Sequence, residues 1–172
     1  MRVLFLLTDH FYDDDFLELY KRFDQDNYDI KVATPKGYSV TGIKNTKIMP
    51  DYKFEDLSPY KQFDIAILIS YYDYESFNVI ELKELIGYLL TKGTVVAIRT
   101  APIFLAEQKL IKGKKTTWDY LEFPQFEQYL RDHGVNTIKT DLFFDGNYIS
   151  SRGCCYDLLY KIINLKAKGF IL

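Results

Sequence analysis

Apolar positions along this chain fall into two alternating rhythms. Short unbroken apolar runs at 3–7, 65–69 and 95–98 carry no polar alternation, the pattern of strands covered on both faces. A fourth strand candidate, 28–34, holds Ile30, Val32 and Ala33. Between these runs, apolar side chains recur at helical spacing: Phe16, Leu19, Tyr20 and Phe23, then Leu82, Leu85, Ile86 and Leu89. Two more such groups follow. Phe123, Phe126 and Leu130 end at His133-Gly134, and Cys155, Leu158, Leu159 and Ile162 form the last stripe. Strand runs alternating with helical stretches predict βαβ units and a largely parallel sheet. Two segments depart from that alternation. Residues 38–50 predict a β-hairpin turning near Gly42 to Asn45, and 142–150 predict another that reverses at Asp145-Gly146-Asn147. Residues 1–172 therefore predict one α/β domain, a three-layer α/β/α sandwich on a doubly wound, mostly parallel sheet with hairpin insertions.

Composition sharpens this picture mainly by exclusion. A chain of 172 residues buries roughly 70% of its unfolded surface and needs no disulfide or metal staple. Hydrophobic content of 48% beside 27% charged residues excludes disorder. A net charge of −2 gives no electrostatic attraction for nucleic acid or an anionic membrane, so neither is expected as a partner. The apolar run after Met1-Arg2 is too short for a secretory core, and no run approaches the ~20 residues that span a bilayer. Cys154 and Cys155 are adjacent and make a poor structural disulfide, which predicts a reducing, cytoplasmic setting. The 15 Tyr and 13 Phe are read as compositional bias and not as a binding surface.

Sheets of this kind place their sites at the carboxyl ends of the strands. That narrows the search to 8–15, 70–75, 99–102 and 151–156. Asp9, Asp13, Asp14 and Asp15 form an acidic stretch with two readings. The simpler is helix N-capping and favourable charge at the dipole. The other is a Mg²⁺-holding, receiver-like signalling domain, whose phosphorylatable aspartate would fall near Ser70 or Asp73. His10 reads as a surface or capping residue, and His133 as a cation at a helix C-terminus. Two histidines and one Cys-Cys pair do not make a tetrahedral set, and Gly-rich phosphate loops are absent, so neither metal nor cofactor is expected.

Several strings then carry a resemblance. Val40-Thr41-Gly42 with Lys47-Ile48-Met49-Pro50-Asp51, Ala97-Ile98-Arg99-Thr100-Ala101-Pro102, the stretch from Leu110 to Trp118, and the stretch from Asp145 to Gly153 occur in that order. They resemble motifs of the ThiJ/PfpI family, within the flavodoxin-like class I glutamine-amidotransferase-like superfamily. The resemblance implies that the family's nucleophilic cysteine position is Arg99, and that Thr100 stands where protease-like members have histidine. It also implies that Ser70-Tyr71-Tyr72 replaces the oxyanion glycines, that Asp15 replaces a glutamate, and that Trp118 stands where some relatives have a histidine. A guanidinium is not a nucleophile. The expectation is a degenerate, noncatalytic member, a homodimer like its relatives, binding a small ligand or partner at a cleft of Asp15, Ser70, Tyr71, Arg99, Thr100, Trp118 and Cys154. Arg99 is expected to pair with Asp15, since a buried unpaired cation is costly; gripping a ligand anion is its second reading. The alternative is a thiol-dependent hydrolase, peptidase or glyoxalase/deglycase-like, using Cys154 or Cys155. Against that, Cys155 lies on the last apolar stripe and reads as a small buried hydrophobe.

Overall fold

Residues 1–58, 62–70 and 75–170 are described by the computed structural model. The chain runs β1 (Arg2–Leu7), α1 (Asp13–Gln25), β2 (Asp29–Thr34), β3 (Val40–Thr41), β4 (Lys47–Ile48), β5 (Tyr52–Lys53) and β6 (Ile65–Ser70). It continues through α2 (Ile80–Lys92), β7 (Thr94–Arg99), α3 (Ala101–Glu107), β8 (Lys115–Thr116), α4 (Phe126–Asp132) and β9 (Asn136–Thr137). Last come β10 (Leu142–Asp145), β11 (Tyr148–Ser151) and α5 (Tyr156–Ala167).

The unalternating apolar runs become the central strands. The seven-stranded sheet has the order β10-β11-β7-β6-β1-β2-β5, and all of its pairings are parallel except β10 with β11. Both faces are covered, as those runs required. One apolar core joins Leu4, Leu6, Ala66 and Leu68 to Leu82, Leu85 and Leu89 of α2 and to α3 and α4. The other joins Val3, Phe5, Leu7, Ile67 and Ile69 to Phe16, Leu19 and Phe23 of α1 and to Leu159 and Ile163 of α5. Successive residues of one strand thus feed opposite cores, which is the period of two at work. The chain leaves β1 for β2 on one side and returns to β6 on the other. That reversal places the loop after β1 and the ends of β6 and β7 at one rim of the sheet.

Two expectations need correction. The 142–151 hairpin is not a decoration: β11 pairs in parallel with β7, so the hairpin completes the main sheet. Cys155 does not join an apolar stripe. It precedes α5, is exposed, and α5 buries Leu159 and Ile163 instead. The 38–50 hairpin is an insertion as expected, with β3 and β4 antiparallel and outside the main sheet. No helix among the described residues is long and apolar enough to cross a membrane.

The hairpin is pinned to α1 by one carboxylate. Asp13, almost wholly buried, accepts the Lys44 and Thr46 N–H groups at 2.8 Å each. A methyl group on Gly42 would lie against that carboxylate, closer than van der Waals contact allows, so only glycine admits the approach. Burial works to raise the Asp13 pKa, but the hydrogen bonds from Thr46 and Lys44 outweigh it and hold the group below the ordinary 3.8. A depressed folded pKa gives stability that is present above about 3.8 and lost as pH falls through the folded value. Asp13→Ala is expected to cost about 1–3 kcal/mol by stranding two N–H groups. Its unfolding curve should also flatten against pH in the acid limb; an unchanged acid slope in urea titrations would contradict the pin.

Candidate active site and its comparison with known proteins

The rim site is organised by Arg99, the last residue of β7. Its register partner on β6 is Ser70, and α3 starts two residues later. This strand-to-helix turn is too tight for an ordinary backbone, and Arg99 takes φ +55°. For a non-glycine residue the left-handed region costs on the order of 1–2 kcal/mol, so the surroundings must hold it there. The Asp119 N–H does so on the main chain, donating to the Arg99 carbonyl at 3.2 Å.

The side chain is held more firmly still. Arg99 Nε donates to Asp15 Oδ2 at 2.7 Å, and Nη1 donates to Asp119 Oδ2 at 2.8 Å. Nη2 is shared between Asp15 Oδ1 at 3.4 Å and the Gly153 carbonyl at 3.3 Å. The guanidinium plane lies 4.0 Å over the Tyr12 ring, a cation–π contact. The Tyr156 hydroxyl donates to Asp15 Oδ1 from the first turn of α5. The side chain of Asp15 is fully buried, that of Asp119 is 5% exposed, and Arg99 is 17% exposed. Gly153 belongs to the same packing: a Cβ there would collide with the guanidinium, whose back it lines.

The two ends of the pair pull in opposite senses. Burial raises the Asp15 pKa, which favours the neutral acid, against Arg99 and Tyr156, which lower it. Burial also disfavours the Arg99 cation, but the charge and hydrogen bond of Asp15 override it and hold the guanidinium protonated more firmly than usual. Burial wins at Asp15, whose pKa stands above the ordinary carboxylate value, while the 2.7 Å contact with the guanidinium works to hold the charged pair. Tyr12 extends this polar wall through its hydroxyl to Glu122 Oε2 at 3.2 Å.

Arg99 and Asp15 therefore meet as the sequence led us to expect. Thr100 is buried beside them at the start of α3. Trp118 does not line the site. It is fully buried in the core and its indole N–H donates to the Phe123 carbonyl at 2.8 Å. Its chain neighbour Asp119 takes the site position instead. Tyr71, Tyr72 and Asp73 lie outside the described residues, as does the side chain of Ser70.

The acidic stretch does not converge on a cation. Asp9 accepts the Thr41 N–H at 2.9 Å, Asp13 holds the hairpin, Asp14 pairs with Lys44 at 2.5 Å, and Asp15 serves Arg99. Side-chain capping is not their role either, since α1 begins at Asp13 and has no side-chain cap, but Asp13, Asp14 and Asp15 do fill its first turn, where the dipole favours acids. His10 is exposed on the hairpin side, its N–H on the Thr41 carbonyl. His133 ends α4, with Nδ1 2.8 Å from the Tyr129 carbonyl. Cys154 is partly buried. Burial, and then its hydrogen bond with Cys155, push its thiol up to about 12, the wrong direction for a nucleophile at neutral pH.

Sequence reasoning missed Asp119, Tyr12, Tyr156 and Gly153. One signal was available. A buried guanidinium has more donors than one carboxylate can accept, so a second acid near a strand end was required. Arg99→Met removes the shared cation and leaves the Asp15 and Asp119 carboxylates buried with no counter-charge, so it is expected to cost roughly 3–5 kcal/mol. Adding Asp15→Ala should recover part of that loss, because the double variant buries one uncompensated carboxylate in place of two. Additive losses in denaturant unfolding would show that the two side chains are not coupled.

Residues 1–164 match the DJ-1/PfpI family. A protein from Pyrococcus abyssi (strain GE5 / Orsay) named a deglycase is 27% identical over 169 residues, covering 96% of this chain and 99% of its own. Deglycase PfpI of Pyrococcus furiosus is 26% identical over 169 residues, with the same coverage of 96% and 99%. Among solved structures, Schizosaccharomyces pombe DJ-1 superposes with a TM-score of 0.80 at 15% identity, over 96% of this chain and 90% of that one. Drosophila melanogaster DJ-1beta gives 0.78 at 20% identity, over 97% and 88%. The chain, matched along nearly its whole length, belongs to the DJ-1/PfpI family.

Proposed function

We propose that this protein is a noncatalytic member of its family, binding a small ligand or a partner at the rim where relatives carry out cysteine chemistry. The observation that carries this reading is the occupant of the β7–α3 turn. Acyl transfer or deglycation by a thiol needs an electron pair at that turn. Arg99 supplies a permanent cation there, and Asp15 and Asp119 already engage it. The same engagement argues against a ligand anion being gripped by Arg99, since any such anion would have to displace two carboxylates. Glu122, exposed beside the clamp and bonded to the Tyr12 hydroxyl, suits a neutral or cationic ligand better.

The names of the Pyrococcus relatives favour a second reading, deglycase activity. In this chain it would have to use Cys154 or Cys155, whose wall meets the turn through the Gly153 carbonyl. The raised Cys154 pKa opposes that route. A reducing, cytoplasmic setting also belongs to the proposal, supported by two adjacent unbridged cysteines. So does a homodimer, as the family resemblance suggests. Exposed Leu17, Tyr20 and Met49 rim a groove floored by Ile30 and Ile48, an apolar face suited to a second copy.

Turnover of methylglyoxal and of methylglyoxal-treated thiol adducts should stay at the buffer rate. It should be unaffected by iodoacetamide or by the Cys154→Ser/Cys155→Ser double variant. A rate above buffer that the double variant abolishes would establish the second reading in place of the first. In light scattering the protein should run at twice 20.3 kDa, and Leu17→Glu with Met49→Glu should halve that mass. A monomer at all concentrations would remove the dimer.

A further inference from the structure

We propose that Cys154, Cys155 and Asp141 form a binding site for a thiophilic divalent cation of the Zn²⁺ or Cd²⁺ type. This is independent of the noncatalytic reading. Ligand atoms of all three residues lie within 4.8 Å of one another, and Cys155 Sγ is 3.9 Å from Asp141 Oδ2. A tetrahedral ion bonded at about 2.3 Å to sulfur and about 2.0 Å to oxygen would space two sulfurs by about 3.7 Å and sulfur from oxygen by about 3.5 Å. The Cys155–Asp141 pair thus needs to close by about 0.4 Å, and no pair by more than about 1.3 Å.

Local backbone explains why adjacent cysteines can share one ion. Neighbours on extended chain face opposite ways. Here Gly153 at φ +85° and Cys155 at φ +56° bracket Cys154, and the two thiols converge instead. Arg152 fixes the third ligand. Its backbone N–H donates to the Asp141 carbonyl at 2.9 Å, and its Nε donates to Asp141 Oδ1 at 2.7 Å. That leaves Oδ2, the oxygen nearest Cys155, as the ligating atom, with Arg152 as its outer partner.

Charge and softness select the ion. Two thiolates and one carboxylate carry −3, which a divalent cation and the Arg152 guanidinium bring to zero. Each thiol releases its proton to solvent as its sulfur bonds to the metal. Two sulfur donors favour a soft or borderline d¹⁰ ion over Mg²⁺ or Ca²⁺. Three protein ligands, with Cys155 exposed, leave the fourth position to water or a small anion. The sequence led us to expect no metal because it offered only the cysteine pair and distant histidines. Folding adds the carboxylate of Asp141.

The test uses the full chain, reduced and then freed of reductant under anaerobic conditions, titrated with Cd²⁺. The expected result is a sulfur-to-cadmium charge-transfer absorbance that saturates at one ion per chain, with both thiols withdrawn from reaction with an aromatic disulfide. Cys154→Ser and Cys155→Ser should each abolish the band. Asp141→Asn should weaken binding by about tenfold or more, the scale on which even outer partners of a metal act. Far-UV circular dichroism of each variant separates loss of ligand from loss of fold. Absence of the band at large Cd²⁺ excess, its survival in either serine variant, unchanged affinity in Asp141→Asn, or saturation at half an ion per chain would overturn the proposal.

Discussion

A single, largely enclosed cation sets the terms for one whole rim of this protein. Arg99 sits where the sheet ends and a helix begins, in a backbone conformation that an arginine does not choose by itself. Once its guanidinium is placed there, three separate parts of the chain have to supply acceptors. Asp15 comes from α1, Asp119 from the loop before α4, and the Gly153 carbonyl from the loop before α5. Tyr12 below and Tyr156 beside the pair complete the enclosure. A buried guanidinium is tolerable only when its donors are matched, so these residues form one unit.

That unit also says what the rim is suited to do. Turns of this type, where the strand stops and the helix N-terminus starts, expose a side chain in a strained position and serve nucleophiles well. Here the strain persists with a side chain that has no nucleophilic electron pair. The strain and the clamp support each other: the Asp119 N–H fixes the Arg99 carbonyl while its carboxylate holds the guanidinium. A relative's activity cannot be carried across such an exchange by overall likeness, because the shared fold positions the site and the residues at the site determine the chemistry.

On the adjoining wall a second device uses the opposite chemistry. Arg152 directs one oxygen of Asp141 and leaves the other toward two soft sulfur atoms. Gly153 stands between the two devices, its carbonyl turned to Arg99 and its left-handed backbone starting the loop that gathers the thiols. The loop from 152 to 155 thus serves both the cation clamp and the thiol cluster.

Much of the architecture was legible in the residues alone. The unalternating runs could only be strands with both faces covered, and the helical stripes of α1 and α2 could only face those strands, so layers and parallel order followed from period and hydrophobicity. The identity of the side chain at the β7–α3 turn was equally legible, and from it the need for an acidic partner. What the sequence could not give was which acid besides Asp15, because Asp119 reaches Arg99 only after the chain has passed through α3 and β8. The resemblance put Trp118 at the site, although a large indole whose N–H finds a carbonyl gains more in the core. Cys155 looked like a buried stripe residue because helical periodicity ignores the left-handed residue that starts α5 outside that phase. Local pattern therefore fixes elements and their faces through short-range sterics and burial. Which polar groups converge depends on distances between residues far apart in sequence, and the packed tertiary structure alone determines those.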